Sequence, residues 1–150
     1  MHTEHLQNVR PARVVAGWLV AIAMTSLAAL AALGIAMIWT QAAELGTVPS
    51  VLAVMVGFWV GGFFAGFRAL EAPILHGIAI GLTSLVAWAG LNAIVAIASP
   101  GMQWDALTPG RTAAALLAQI VGAVLGALMG YNVALRGKPS LAEHEPLENA

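Results

Sequence analysis

His76 follows closely on Arg68 and Glu71, and two amides, Asn92 and Gln119, fall inside long stretches without any charge. These are the side chains whose types and spacing could support chemistry. An imidazole can ligate a metal or haem, or pass a proton. A metal or haem site needs further ligands. The chain has no cysteine, and its other histidines, His2, His5 and His144, lie in polar tails. The expected role of His76 is therefore that of an interfacial histidine, bonded to the adjoining loop or to Asn132. Arg68 and Glu71 stand three apart, a spacing that lets an exposed pair form on a helical turn.

The two amides admit two roles. They could form a polar station for an ion or small solute, or they could bond to each other and hold helices together. Asn92 lies seven residues before Ser99, and Gln119 eight residues after Arg111. If both helices end at the same level, the amides share a depth of about 10–12 Å at 1.5 Å per residue, and the spacing predicts a direct or water-bridged pair.

No set of groups for catalysis accompanies them. The sequence lacks a phosphate-binding glycine loop, a Gly-x-Ser-x-Gly elbow, a His-Glu-x-x-His motif and any acid or lysine within the apolar stretches. No catalytic, cofactor-binding or metal-binding residues are expected, and the chain reads as a non-enzyme. The missing carboxylate also separates it from small four-span proton-coupled exporters, which need a titratable group in the membrane.

The elements that position these residues follow from composition. Of 150 residues, 60% are hydrophobic and 9% charged, against about a quarter charged in soluble domains. Such a chain cannot coat itself for water, and membrane lipid is the expected partner. The net charge of −1 argues against nucleic acid, whose phosphates require clustered cations.

Four stretches carry no Asp, Glu, Lys or Arg: Val14 to Ala43, Leu45 to Phe67, Ala72 to Trp104 and Thr112 to Leu135. Each exceeds the roughly 20 residues that cross a bilayer as a helix. The expected fold is all-α, a four-helix transmembrane bundle with spans near 14–39, 49–67, 73–98 and 111–135. It forms a single transmembrane domain, 14–135, between tails 1–13 and 136–150. Pro49, Pro73 and Pro109 suit first helical positions, and Ser99-Pro100-Gly101 closes the third span. The short link after Arg68 predicts that spans two and three are antiparallel neighbours. The first span is much longer than the 7–15 residues of a signal-peptide core, so it reads as a retained anchor.

Arg10, Arg13, Arg68, Arg136 and Lys138 fall on one side of this layout, and Arg111 on the other. The positive-inside rule then places both termini in the cytoplasm, in the plasma (inner) membrane of a cell. Trp18, Trp39 and Trp104 fit interface positions, whereas Trp59 and Trp88 fall deeper.

The strongest internal pattern is a ladder of small residues. Ala114, Ala118, Gly122, Gly126 and Gly130 recur every four residues. Ala53, Gly57, Gly61 and Ala65 do the same, with Gly62 and Gly66 on the adjoining ridge, and Gly77 and Gly81 open the third span. Such lines let helix backbones touch, which is how helices associate in lipid. The ladders can pack within one chain, or line a glycine zipper between chains.

Gly61-Gly62-Phe63-Phe64-Ala65-Gly66, followed by Leu75-His76-Gly77 and Gly81, resembles a hairpin pattern of small prokaryotic four-span membrane proteins that have no assigned activity. The resemblance covers about twenty residues and the four-span layout, and it implies no cofactor or reaction. The expected function is that of a non-enzymatic helical bundle acting through helix–helix contacts, as a homo-oligomer or an accessory subunit of a larger membrane complex. The alternative is a small transport or channel protein whose conduit forms between protomers.

Overall fold

The computed structural model describes residues 9–38, 48–69, 72–98 and 109–137. Trp39, Glu71, Trp104 and Asp105 lie outside the described residues, as do residues 1–8 and 138–150 of the two tails. The described residues form four α-helices and no strand: α1 (Pro11–Ile38), α2 (Val48–Arg68), α3 (Pro73–Ala98) and α4 (Pro109–Arg136).

Each helix opens at or beside a proline. The fixed φ and missing N–H of proline suit a first turn, where no intrahelical acceptor exists for that hydrogen. Pro11 and Pro109 start α1 and α4 two or three residues ahead of the starts expected at 14 and 111. The shortest helix, α2, has 21 residues and measures about 32 Å at 1.5 Å per residue. All four helices are long and apolar enough to cross a membrane.

The ladders set which helices meet. An added Cβ at Gly122 would stand 2.5 Å from the Met55 carbonyl oxygen, and one at Gly126 would collide with the Trp59 carbonyl. At Gly130 the obstacle is the Phe63 carbonyl, and at Gly62 and Gly66 the carbonyls of Ala123 and Ala127. Residue numbers rise together along both helices, so α2 and α4 run parallel with their backbones in contact. On the other side of α2, Gly57 meets Thr25, while Gly61 meets Gly17 and Ala21, so α1 is antiparallel to α2. Gly77 faces Val124 and Gly81 faces Ile120, which makes α3 antiparallel to α4.

The helices therefore follow one another around the bundle in the order α1, α2, α4, α3. The most extensive contact is between α2 and α4, and the next between α1 and α2. The expectation that the short link makes spans two and three antiparallel neighbours holds for their direction and is corrected to a diagonal placement. They are antiparallel, but α2 and α3 share the least contact of the five packed pairs. A four-residue link can extend about 13 Å, enough to step across a bundle whose helices touch through glycine. Ala72 makes the step with a positive φ of 47°, a left-handed conformation that costs a non-glycine residue about 1–2 kcal/mol.

We term the end bearing this link the link end. There α1 and α3 begin and α2 and α4 finish. Burial concentrates towards it. The buried residues of α1 are Val14, Gly17 and Ala21, and those of α3 run from Pro73 to Ser84. Beyond them both helices expose their sides, with Leu30 66%, Met37 81% and Ile97 81% accessible.

The size pattern is inverted relative to a water-soluble fold. Ala21, Ala123 and Ala127 are fully buried, while most of the large aliphatic side chains point outward. Among the largest fully buried side chains are Phe58 and Ile80, which fill the space between the ladders. In water such a surface would be an aggregation hazard. In lipid it is the ordinary solution, since small residues inside give close contact and large ones outside meet acyl chains.

The mesh makes a testable prediction. Gly126→Leu should lower thermal stability in detergent by about 1–3 kcal/mol or more, because the side chain has only the Trp59 carbonyl and Phe63 nitrogen to displace. Leu125→Ile, at a neighbouring position that is 53% exposed, should change it by less than about 1.5 kcal/mol. Equal melting shifts would show that α2 and α4 do not meet through this ridge.

Candidate functional site

Two groups of polar atoms are held inside the bundle, one at the link end and one at mid-height. The link-end group is built on His76, one turn into α3 and fully buried. Its Nδ1 lies 2.9 Å from the Ala72 carbonyl oxygen, and its Nε2 lies 3.3 Å from the Arg10 backbone nitrogen. A carbonyl can only accept and an N–H can only donate. The ring is therefore the neutral tautomer with its proton on Nδ1, donating to Ala72 and accepting from Arg10. Its partners are the link, as one of the expected alternatives had it, and the start of α1; Asn132 is not among them. Both nitrogens are committed to the backbone, which leaves no lone pair for an added ligand.

Arg68 closes α2 beside this group. Its guanidinium carbon stands 4.4 Å from the Phe64 ring centroid, a cation–π contact one turn back along the same helix. The expected Arg68–Glu71 pair involves a residue outside the described ones.

At mid-height the structure separates the two amides that the sequence reading paired. The α3–α4 register, Gly77 against Val124 and Gly81 against Ile120, continues to set Leu82 level with Gln119. Asn92 is ten residues further on, about 15 Å along the axis. The expectation failed because it assumed helices ending at one level, whereas α3 runs well past the point where α4 begins. Asn92 instead donates from Nδ2 to the Trp88 carbonyl of its own helix at 2.6 Å. Thr83 does likewise to Ala79 at 2.8 Å. These i−4 bonds spend side-chain polarity within the helix that carries it.

Gln119 is different. Its Oε1 is buried and has no hydrogen-bond partner among the described residues, and the same holds for Thr25 Oγ1 and Trp18 Nε1. Trp18 packs against the core cluster around Val14, Phe58 and Ile80, a role that interface placement did not anticipate. Thr25 sits where Gly57 lets α1 approach α2.

The outer wall of the α2–α4 seam is aromatic. Trp59 and Phe63 have ring centroids 6.5 Å apart, and Phe63 and Phe67 stack at 6.1 Å. The Trp59 and Phe63 carbonyls face Gly126 and Gly130 of α4. The four-residue spacing of the rings could have been read from the sequence. The Arg10 backbone contact of His76 could not, because it joins positions 66 residues apart through a main-chain atom.

Two measurements follow. Gln119→Leu should leave stability unchanged or raise it by about 1–3 kcal/mol, since it removes a buried carbonyl without a partner. Asn92→Leu and Gln119→Leu should combine additively within about 0.5 kcal/mol, as separated sites do. A larger coupling in a double-mutant cycle would restore the pair that the geometry rejects. The chain matches no protein-family model, no curated protein and no solved structure.

Proposed function

We propose that this chain is a multi-pass membrane protein without enzymatic activity, acting through helix–helix contacts as a homo-oligomer or as a subunit of a larger membrane complex. The observation that carries this reading is the distribution of its helical glycines. Ten of them, Gly17 and Gly57 to Gly130 apart from Gly90 and Gly110, stand against a neighbouring helix within the bundle, whereas an added Cβ at Gly34, Gly90 or Gly110, the last in the first turn of α4, would meet nothing within 4 Å. Gly34 and Gly90 lie where α1 and α3 expose their sides. A glycine inside a helix costs about 1 kcal/mol relative to alanine, and in this chain the cost is otherwise offset by close helix contact.

The proposed location is the plasma (inner) membrane with the link end and both termini cytoplasmic. Arg10, Arg13, Arg68 and Arg136 all lie at that end, as the positive-inside rule requires of a cytoplasmic face. The second reading, a small transport or channel protein with its conduit between protomers, is favoured by Gln119 Oε1 and Thr25 Oγ1. Buried polar atoms without partners are where water or a polar solute would bind.

The native mass in mild detergent or lipid nanodiscs tests the first reading. A dimer, a larger assembly or a stoichiometric co-purifying protein is expected, and a lone monomer at every lipid ratio would overturn it. Topology is tested separately, since a cysteine-free chain accepts single cysteines cleanly. Asp105→Cys should react with an impermeant maleimide in intact cells and Gly137→Cys only after permeabilisation. Labelling of both from one side would end the four-span assignment.

A further inference from the structure

We propose that His76 is a proton-sensitive clasp, which holds the amino-terminal end of α1 against the α2–α3 link while neutral and releases it when protonated. The inference is independent of whether the chain assembles or transports.

The geometry defines two states. In the neutral ring, Nδ1–H donates to Ala72 and Nε2 accepts the Arg10 N–H. A proton can enter only at Nε2, the atom that accepts from Arg10. It converts that acceptor into a donor and sets two N–H groups against each other. The Ala72 side of the clasp survives, because Nδ1–H is present in both forms. What breaks is the bond that crosses from α3 to α1.

The described charged groups at this end are Arg10 and Arg13 on α1, Arg68 at the end of α2 and Arg136 at the end of α4, and all four are cations. Tyr131 on α4 is the other titratable side chain described there. Glu71, in the link, lies outside the described residues. The ring is fully buried, so two N–H groups set against each other have no water to turn to unless the contact opens.

The clasp matters because few side chains hold α1 at this end. Three residues of its 28 are buried, and Val14 is the one that falls in the first turn. Val9 and Trp18 pack only partly against the core. Breaking the Arg10 bond would loosen the first turn of α1, while the α1–α2 ladder further along keeps the helix in place.

A spin label at Ala12→Cys, an exposed position in that turn, reads the two states in the otherwise cysteine-free chain. Wild-type His76 should give an immobilised spectrum at pH 8 and a mobile one at pH 5, with a rotational correlation time at least about threefold shorter, over the range in which imidazole changes charge. His76→Gln keeps an acceptor for the Arg10 N–H but takes up no proton, and its spectrum should not respond to pH. His76→Phe should be mobile at every pH. Glu71→Gln should respond as wild type does, which excludes the link carboxylate as the source. Imidazole ¹⁵N shifts, recorded on the unsubstituted chain, should titrate at the same midpoint as the label. A flat wild-type spectrum from pH 5 to 8, a response that persists in His76→Gln, or a label midpoint apart from the imidazole midpoint would overturn the proposal.

Discussion

The rest of the bundle depends on direct backbone contact between α2 and α4. In a bilayer, helices gain little by hiding apolar side chains from one another, because acyl chains are equally apolar. What remains is dispersion, which falls off steeply with separation, and it is greatest where no Cβ intervenes. Gly62 and Gly66 on one helix, and Gly122, Gly126 and Gly130 on the other, place carbonyls against bare Cα positions along about 12 Å of seam. Once this seam is fixed, Gly57 and Gly61 are left on a second face of α2 to receive α1, and Ile120 and Val124 on a second face of α4 to receive α3.

Polarity is handled under the same constraint. A hydrogen-bonding group away from water must find a partner within the protein, and two solutions are present. Thr83 and Asn92 bond to carbonyls of their own helices. His76 bonds to two backbone groups from different parts of the chain. Gln119, Thr25 and Trp18 instead hold buried polar atoms without a partner among the described residues.

Much of the architecture can be read from the sequence, and the failures have physical causes. Helix number and approximate limits follow from charge-free runs and prolines, since a bilayer admits few other solutions. The ladders at Gly57–Ala65 and Ala118–Gly130 identify sticky faces, but not which face meets which. That choice depends on azimuth and stagger together, and a one-dimensional count from the helix ends fixes neither. For that reason the depth argument for Asn92 and Gln119 failed, and the short link misled about α2 and α3. The role of His76 was legible only in part. Its bond to the link was foreseeable from its position, whereas its full burial, where an interfacial histidine was expected, and its bond to a main-chain nitrogen 66 residues away leave no mark in residue type.

The parallel pairing of α2 with α4 also bears on how such a chain is made. Spans enter the membrane in order from the amino terminus. The α1–α2 hairpin can close as soon as it is inserted, because its glycine face is complete. The α2–α3 hairpin has little to gain on its own, and α3 finds its main partner only when α4 arrives. Until then the α4-facing side of α2, with Gly62, Gly66 and the Trp59 and Phe63 carbonyls, stands open to lipid or to whatever assists insertion. A helix made after the other three described ones thus supplies the largest contact of the fold, and a chain stopped after α3 would carry three spans without the surface that unites them.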